Sequence, residues 1–423
     1  MQSHNHLAMQ YKTDPPRLQA ATDWPATREE GLQRLSDFVD RAGSHYAAER
    51  NYDFGPEQRT NVSVLSPYIR HRLISEAEVA AEVIAAHGLS ASEKFIQEVC
   101  WRTYWKGWLE SRPAIWDRYV QDVVHLKNAD AQNDLMQQVR VACAGETGIA
   151  CFDAWARELV ETGYLHNHAR MWFASIWIFT LKLPWQLGAD FFMTHLLDGD
   201  PASNTLSWRW MCGLHTRGKT YLARSSNISE FTRGRFPQTE RLAPFAEALT
   251  DDGQLENAQP VKPRKKLPSG DVVLLVTDED LNPETLTFDD ARVRSVVMLS
   301  GLEHGVTYAP RVTRFKSAAR LDARARGARQ FWCTFENLDC SDRHAAERLV
   351  QLANGLPFVC AEIPVGPTRA AFEPMLDVLN AQGLAVHFVR RDWDDAFWPH
   401  ASNGFFQLKS KIPSVLQRLG ISG

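Results

Sequence analysis

A change of hydrophobic period constrains this chain more than any other feature. From Ala26 to about Phe236 the apolar residues recur at helical spacing, as in ATREEGLQRLSDFV with Leu32, Leu35 and Phe38. SEAEVAAEVIAAHG opens on Ser75 as a cap and closes on Gly88 as a stop. In SEKFIQEVCWRTYWKGWLE, Trp101, Trp105 and Trp108 share one helix face. Near residue 254 the period ends. ENAQPVKPRKKLPSG is rich in Pro and Lys and has no period, as in a linker. The β-branched runs DVVLLVT, RSVVMLS, QFWCT, FVCAEIP and LAVHFVR follow, separated by helical stretches such as RHAAERLVQLANG and TRAAFEPMLDVLNAQG. Strand–helix alternation builds a doubly wound parallel sheet. The expected fold class is an all-α domain followed by an α/β doubly wound parallel-sheet domain. The expected boundaries are a tail over 1–25, a helical domain over 26–250, a linker over 251–270 and the α/β domain over 271–423. No GxGxxG follows the first strand, so the dinucleotide fingerprint is absent.

A net charge of −4 over 423 residues excludes a chain that is polycationic throughout. Any contact with nucleic acid must come from a local patch. The seven Cys are scattered and form no CxxC pair, so no metal site is expected and the thiols read as reduced. The N-terminus MQSHNHLAMQYKTDPP carries no basic-then-apolar signal. No apolar run approaches the roughly 20 residues that span a bilayer. The expectation is a cytoplasmic protein with no membrane partner.

The segment from Gly163 to Trp210 sets Asn167, Arg170, Asp198, Asp200 and Asn204 among five Trp. Carboxylates buried among aromatics need partners, because desolvating a charge is costly. Such a segment suits a polar-headed, flat-ringed ligand. It resembles the flavin-binding core of the photolyase/cryptochrome family. GYLHNHARM is similar to that family's Gly-Trp-Met-His-Asn-Arg-x-Arg-Met, and DGDPASN to its Asp-Gly-Asp-x-Ala-x-Asn. EVCWR resembles Glu-x-x-Trp-Arg, NVSVLSPYI (61–69) resembles Thr-Ser-x-Leu-Ser-Pro-Tyr-Leu, and YAAER (46–50) resembles Tyr-x-x-x-Arg. The resemblance runs from Ala26 to Phe236. The α/β region, which begins VVLLVTDEDLNPETL, then stands where a rearranged or permuted antenna domain would; a generic α/β interaction domain is an equal alternative, and whether it holds an antenna chromophore stays open.

The resemblance implies FAD as cofactor. Tyr46, Ser63, Ser66 and Arg102 would meet its phosphates. Asp198 would accept from the flavin N3–H, Asp200 would pair with Arg170, and Asn204 would hold N5. Asn167 would bond near N5 or the substrate base. Trp208 would be the electron donor nearest the ring, with Trp185, thirteen residues before Asp198, behind it. Glu98, Trp101, Met171 and Trp210 would face a flipped pyrimidine dimer, Trp101 and Trp210 as an apolar wall. On the residues alone SPY is an ordinary cap, Trp101 a core residue and Glu98 a surface one, and these readings stay open. Read alone, HNH (166–168) could suggest a metal site, but i, i+2 on a helix points the two His apart, which argues against one.

Four positions depart from the family pattern. Val62 stands for Thr, Tyr164 for Trp, and His168 for Arg. Ala142 stands where the outer Trp normally precedes Gly-x-Thr-Gly, here GETG (145–148). The outer electron route would then leave elsewhere, with Trp155, Trp172 and Trp177 as candidates. From Pro201 to Arg241 there are seven Lys or Arg against two Asp or Glu. This stretch would track a phosphate backbone or form a solvated loop. The implied function is a blue-light-driven lyase that splits cyclobutane pyrimidine dimers in UV-damaged DNA by electron transfer from reduced flavin. The alternative is a cryptochrome-type photoreceptor that signals through flavin photoreduction.

Overall fold

The computed structural model describes residues 24–128, 134–236, 241–250 and 258–421. Nearly all of the expected tail and the first part of the expected linker lie outside the described residues. The helical half comprises α1 (Arg28–Val39), α2 (Ser44–Glu49), α3 (Ser66–Arg70), α4 (Glu76–Glu110), α5 (Ala114–Asn128) and α6 (Asp134–Ala144). It continues with α7 (Ala150–Thr162), α8 (Asn167–Ser175), a π turn (Ile176–Thr180), α9 (Trp185–His195), α10 (Pro201–Met211) and α11 (Ser225–Phe231). Local chemistry sets the ends. Thr27 caps α1 by accepting from the Glu30 N–H. Ser75 and Glu78 form a reciprocal capping box at the start of α4. Gly88 does not end that helix as the sequence suggests. With φ of 71° it kinks α4, and the helix resumes beyond it, with the Ser92 hydroxyl donating to the Gly88 carbonyl.

The second half comprises β1 (Gly270–Val276), β2 (Ala291–Ser300), α12 (Pro310–Phe331), β3 (Thr334–Asp339), α13 (Ala345–Ala353), β4 (Phe358–Ala361), α14 (Pro367–Ala381), β5 (Val386–Val389), α15 (Asp392–Phe397) and α16 (Phe405–Arg418). All pairings are parallel, in the order β3-β2-β1-β4-β5. One expected strand is misplaced. Most of QFWCT closes α12 and the turn after it, with Trp332 left-handed (φ 51°) and 89 % exposed. The strand starts at Thr334 and runs through FENLD, a polar stretch on an edge of the sheet. Along β1 the residues alternate between two cores, as the pleat requires. Val273 and Leu275 pack with Leu349, Phe372 and Leu379. Val272, Leu274 and Val276 join the core that runs on into the helical half.

The two halves therefore share a core instead of hanging from a linker. α15 and α16 return to α4: the Trp393 indole donates to Thr103 Oγ1 at 2.8 Å. At Gly107 an added Cβ would lie 2.8 Å from Ala401 and 3.0 Å from Trp398, so glycine permits this approach. Ionic contacts bind the loop after β1 to the segment after α3. Arg70 pairs with Glu279, and Arg72 with Asp394, Asp280 and Glu76. Removing one partner from a buried pair of this kind costs about 3–5 kcal/mol.

Candidate functional site

The Asp198-Gly199-Asp200 loop between α9 and α10 is the centre of the site. Gly163 closes α7 in the left-handed conformation (φ 74°), and a Cβ there would meet Leu197 at 2.7 Å. The Gly163 carbonyl accepts from the Leu197 N–H at 2.9 Å, which docks the loop on α7. Asp200 then caps α10 by accepting from the Ser203 N–H at 2.7 Å, with Pro201 opening the helix.

Arg170 on α8 donates to Asp198 Oδ2 at 2.8 Å and to the Leu165 carbonyl at 2.9 Å. The arginine therefore pairs with Asp198, not with Asp200 as expected. Its direction is fixed by the Leu165 bond and by the Tyr164 ring, 5.3 Å away. Burial by itself would raise the Asp198 pKa; Arg170 outweighs it, assisted by Arg102 and the Ser66 hydroxyl, and holds the carboxyl below its ordinary range. Around Asp200 Oδ2 stand Arg70, Arg102 and Lys106, each at 3.9 Å. They outweigh burial and hold that carboxyl down as well. At this distance none makes a hydrogen bond.

The donors and acceptors left over test the fit of a cofactor. Asp198 Oδ1, Asp200 Oδ2, Arg102 Nη1 and Ser203 Oγ are buried without a hydrogen-bond partner among the described residues. Buried polar groups are seldom left so, and four together fit a polar ligand. Arg70 is neutralised by Glu279, and Arg102 and Lys106 then face the single charge of Asp200, which leaves one positive charge in excess, suited to a pyrophosphate. On the other side of the loop, Ser66 opens α3 and Ser63 is half-buried. Val64 between them holds φ at 49°, a costly conformation for a β-branched residue. Such strain concentrates at functional sites and marks Val64, which the sequence did not single out. Asn61 braces the loop by donating to the Glu49 and Tyr52 carbonyls at 2.8 Å each.

The other expected residues fall into three groups. Asn204 is buried on α10 and donates to the Ala189 carbonyl at 2.8 Å. Tyr46 sits in the core against Phe38 and Phe95. Its neighbour one turn on, Arg50, pairs with Glu98. Glu98, Trp101, Met171 and Trp210 are partly exposed, and Asn167 is exposed. One face of the Trp101 ring is covered by Phe405 of α16 in a flat stack at 3.6 Å, and Trp210 lies beside Tyr221. His166 and His168 are each engaged: His166 Nδ1 accepts from the His168 N–H, while His168 lies flat on Trp172 at 4.0 Å. Burial lowers both pKa values, that of His166 to about 4, so both rings are neutral at neutral pH.

Trp208 is buried edge-on to Trp177 (6.2 Å) and Phe192 (5.2 Å). Trp185 stacks on Tyr119 of α5 at 5.7 Å, and Tyr119 meets Trp116 at 5.3 Å. Ala142 is buried on α6, and GETG forms the loop whose Thr147 and Gly148 bond to Asp153. Trp155 and Trp172 are a stacked core pair bonded to Asp53 and Asn227.

Residues 95–240 match the family described as the FAD binding domain of DNA photolyase. The chain is 31 % identical over 214 residues to a deoxyribodipyrimidine photo-lyase of Alkalihalophilus pseudofirmus, covering 50 % of this chain and 43 % of that one. It is 32 % identical over 189 residues to the Synechococcus enzyme of the same name, covering 42 % of this chain and 37 % of that one. Among solved structures, a class III photolyase from Agrobacterium tumefaciens aligns with a TM-score of 0.41 at 26 % identity, over 48 % of this chain and 42 % of that one. The chain thus spans less than half the length of these relatives. No helix among the described residues is long and apolar enough to cross a membrane. Residues 95–240, which contain the Asp198–Asp200 loop, are an FAD-binding domain of the photolyase/cryptochrome family.

Proposed function

We propose that this protein is a light-driven photolyase-like lyase acting on cyclobutane pyrimidine dimers in DNA. One observation carries the reading, a gradient of burial across the site. Asp198, Asp200 and Asn204, on the cofactor side, are buried; Glu98, Trp101, Asn167, Met171 and Trp210, on the lesion side, keep access to solvent. A cofactor sealed on one side and a partly open aromatic rim on the other suit a base that enters from outside.

FAD, when bound, supplies light absorption and one-electron chemistry. The protein supplies the rest. Arg102 and Lys106 would hold its phosphates, with Ser63 and Ser66 beside them. Asp198, fixed by Arg170, would accept from the ring, and Asn204 would face N5. Burial raises the Glu98 carboxyl above its ordinary value even beside Arg50. Glu98 would hydrogen-bond the dimer carbonyl and stabilise charge gathering there. Trp101 and Trp210 would take the flipped bases, since a base inside the duplex cannot reach a buried site. Arg217, Lys219, Arg224 and Arg233 are exposed along the basic stretch and would follow the backbone. For electrons, Trp208 and Trp185 are continued by Tyr119, in place of the outer Trp absent at Ala142.

The neutral, stacked His168 favours a second reading, a cryptochrome-type photoreceptor, because it offers no fixed cation to DNA. Blue light on the reduced protein with a dimer-containing oligonucleotide separates the two. Recovery of thymine absorbance is expected; none at stoichiometric protein refutes the lyase.

A further inference from the structure

Open α/β sheets take ligands at the carboxyl ends of their strands, where the strand order reverses. In this sheet that point lies between β1 and β4. It is filled from the helical half. Arg70 enters there and forks onto Glu279, with Nη1 at 2.7 Å and Nη2 at 2.9 Å from its two oxygens. Thr368, at the start of α14, donates to the same carboxylate at 3.0 Å. The cavity left among these residues is about 10 Å³, no more than one water needs.

A third donor of Arg70 points the other way. Its Nε donates to the Gly199 carbonyl at 2.9 Å. Gly199 is the residue between Asp198 and Asp200, so one guanidinium joins the α/β half to the peptide between those two carboxylates. Arg70, Glu279 and Asp200 are all nearly inaccessible to solvent. Burial and the Arg70 pairing oppose each other at Glu279, and the pairing prevails: the carboxyl is held far below its ordinary range and stays ionised. The fork is planar and rigid, so holding one side of it fixes the other.

We propose that Glu279 and Thr368 are positioning residues for the FAD loop. Acting through Arg70, they set the Gly199 peptide and with it the spacing of Asp198 and Asp200. The strand-end crevice of the α/β half is thus a socket for the helical half. This rests on the proposed placing of FAD against Asp198 and Asp200.

The test compares FAD affinity, read from flavin fluorescence on release, with the melting temperature of the same protein. Glu279→Gln should lower both. Replacing the pair together by Arg70→Met and Glu279→Met should return the melting temperature to near wild type, because apolar residues of similar volume substitute well for a buried pair. FAD should still bind about ten- to a hundred-fold more weakly, since Gly199 has lost a charge-assisted donor. Arg70→Lys keeps the charge opposite Glu279 but cannot fork onto it and leaves the Gly199 carbonyl without its donor, and should weaken FAD about tenfold. Wild-type FAD affinity in Arg70→Lys, or in a folded double variant, overturns the proposal and leaves a merely structural pair. The underlying placement has its own control: Asp198→Ala with Asn204→Ala must lose FAD, and if it does not, the placement fails first.

Discussion

Gly188 sits on α9 directly under the Trp208 ring. A Cβ added there would lie 2.3 Å from Cη2 and 2.6 Å from Cζ3 of Trp208, and 3.0 Å from Cε2 of Trp177. Carbon atoms rest about 3.5–4.0 Å apart, so the Trp208 ring must retreat by about 1 Å. It has nowhere to go: Trp208 is 2 % exposed and Trp177 fully buried, with Phe192 and Phe173 behind. Overpacking costs about 1–3 kcal/mol, and a clash with two rigid rings belongs at the upper end. Against this, Gly→Ala inside a helix gains about 1 kcal/mol. The balance for Gly188→Ala is a loss of about 2 kcal/mol. At about 2–4 °C per kcal/mol for a domain of this size, the melting temperature should fall by about 4–8 °C. Thermal melts followed by far-UV circular dichroism measure this directly, and flavin photoreduction in the same sample reports the displaced Trp208. A melting temperature equal to or above wild type would mean that the helix term wins, and would refute the packing described for Trp208.

Asp198→Ala combined with Asn204→Ala should yield colourless protein, and full flavin absorbance after purification would contradict the site. Trp208→Phe should slow photoreduction at least tenfold, and Tyr119→Phe should slow it while leaving FAD bound; unchanged rates in Tyr119→Phe would end the outer route at Trp185. The paired carboxyls Asp198, Asp200, Asp278, Glu279 and Asp280 are all held below their ordinary values in the folded protein. Their stabilisation is present above the unfolded value near 4 and is lost as pH falls through the depressed folded values, at about 1.4 kcal/mol per pH unit for each proton taken up. Urea midpoints should therefore drop steeply below about pH 4, less so in Glu279→Gln, and a flat profile down to pH 3 would contradict the pairing.

The fold class could be read from sequence because two periods, near 3.6 and 2, are written into different stretches of the chain. β1, β4 and β5 fall on the expected runs because they are dense in Val, Leu and Phe. β3 did not show itself, since FENLD on a sheet edge has no apolar face to declare it. The same logic divides the site. Asp198, Asp200 and Arg170 were found because charges among Trp are conspicuous in a sequence. Their pairing was misassigned, since spacing along the chain does not tell which acid an arginine meets. Val64, Tyr119, Phe405 and Glu279 were missed for a common reason. Each matters through a backbone angle or a neighbour distant in sequence, and no local pattern records either.

Arg72 meets Asp394, a partner 322 residues further along the chain. A ribosome adding about 5–20 residues per second needs roughly a quarter of a minute to a minute to cover that distance. Until then Arg72 lacks Asp394 and Thr103 lacks Trp393, and the groove on α4 that takes Trp393 and Trp398 lies open. The helical half is thus made first and completed last. A chain released early would carry the whole aromatic site with its ionic seam unclosed, a ready target for chaperones and proteases. Vectorial synthesis in this order makes closure of that seam wait until α15 has been made.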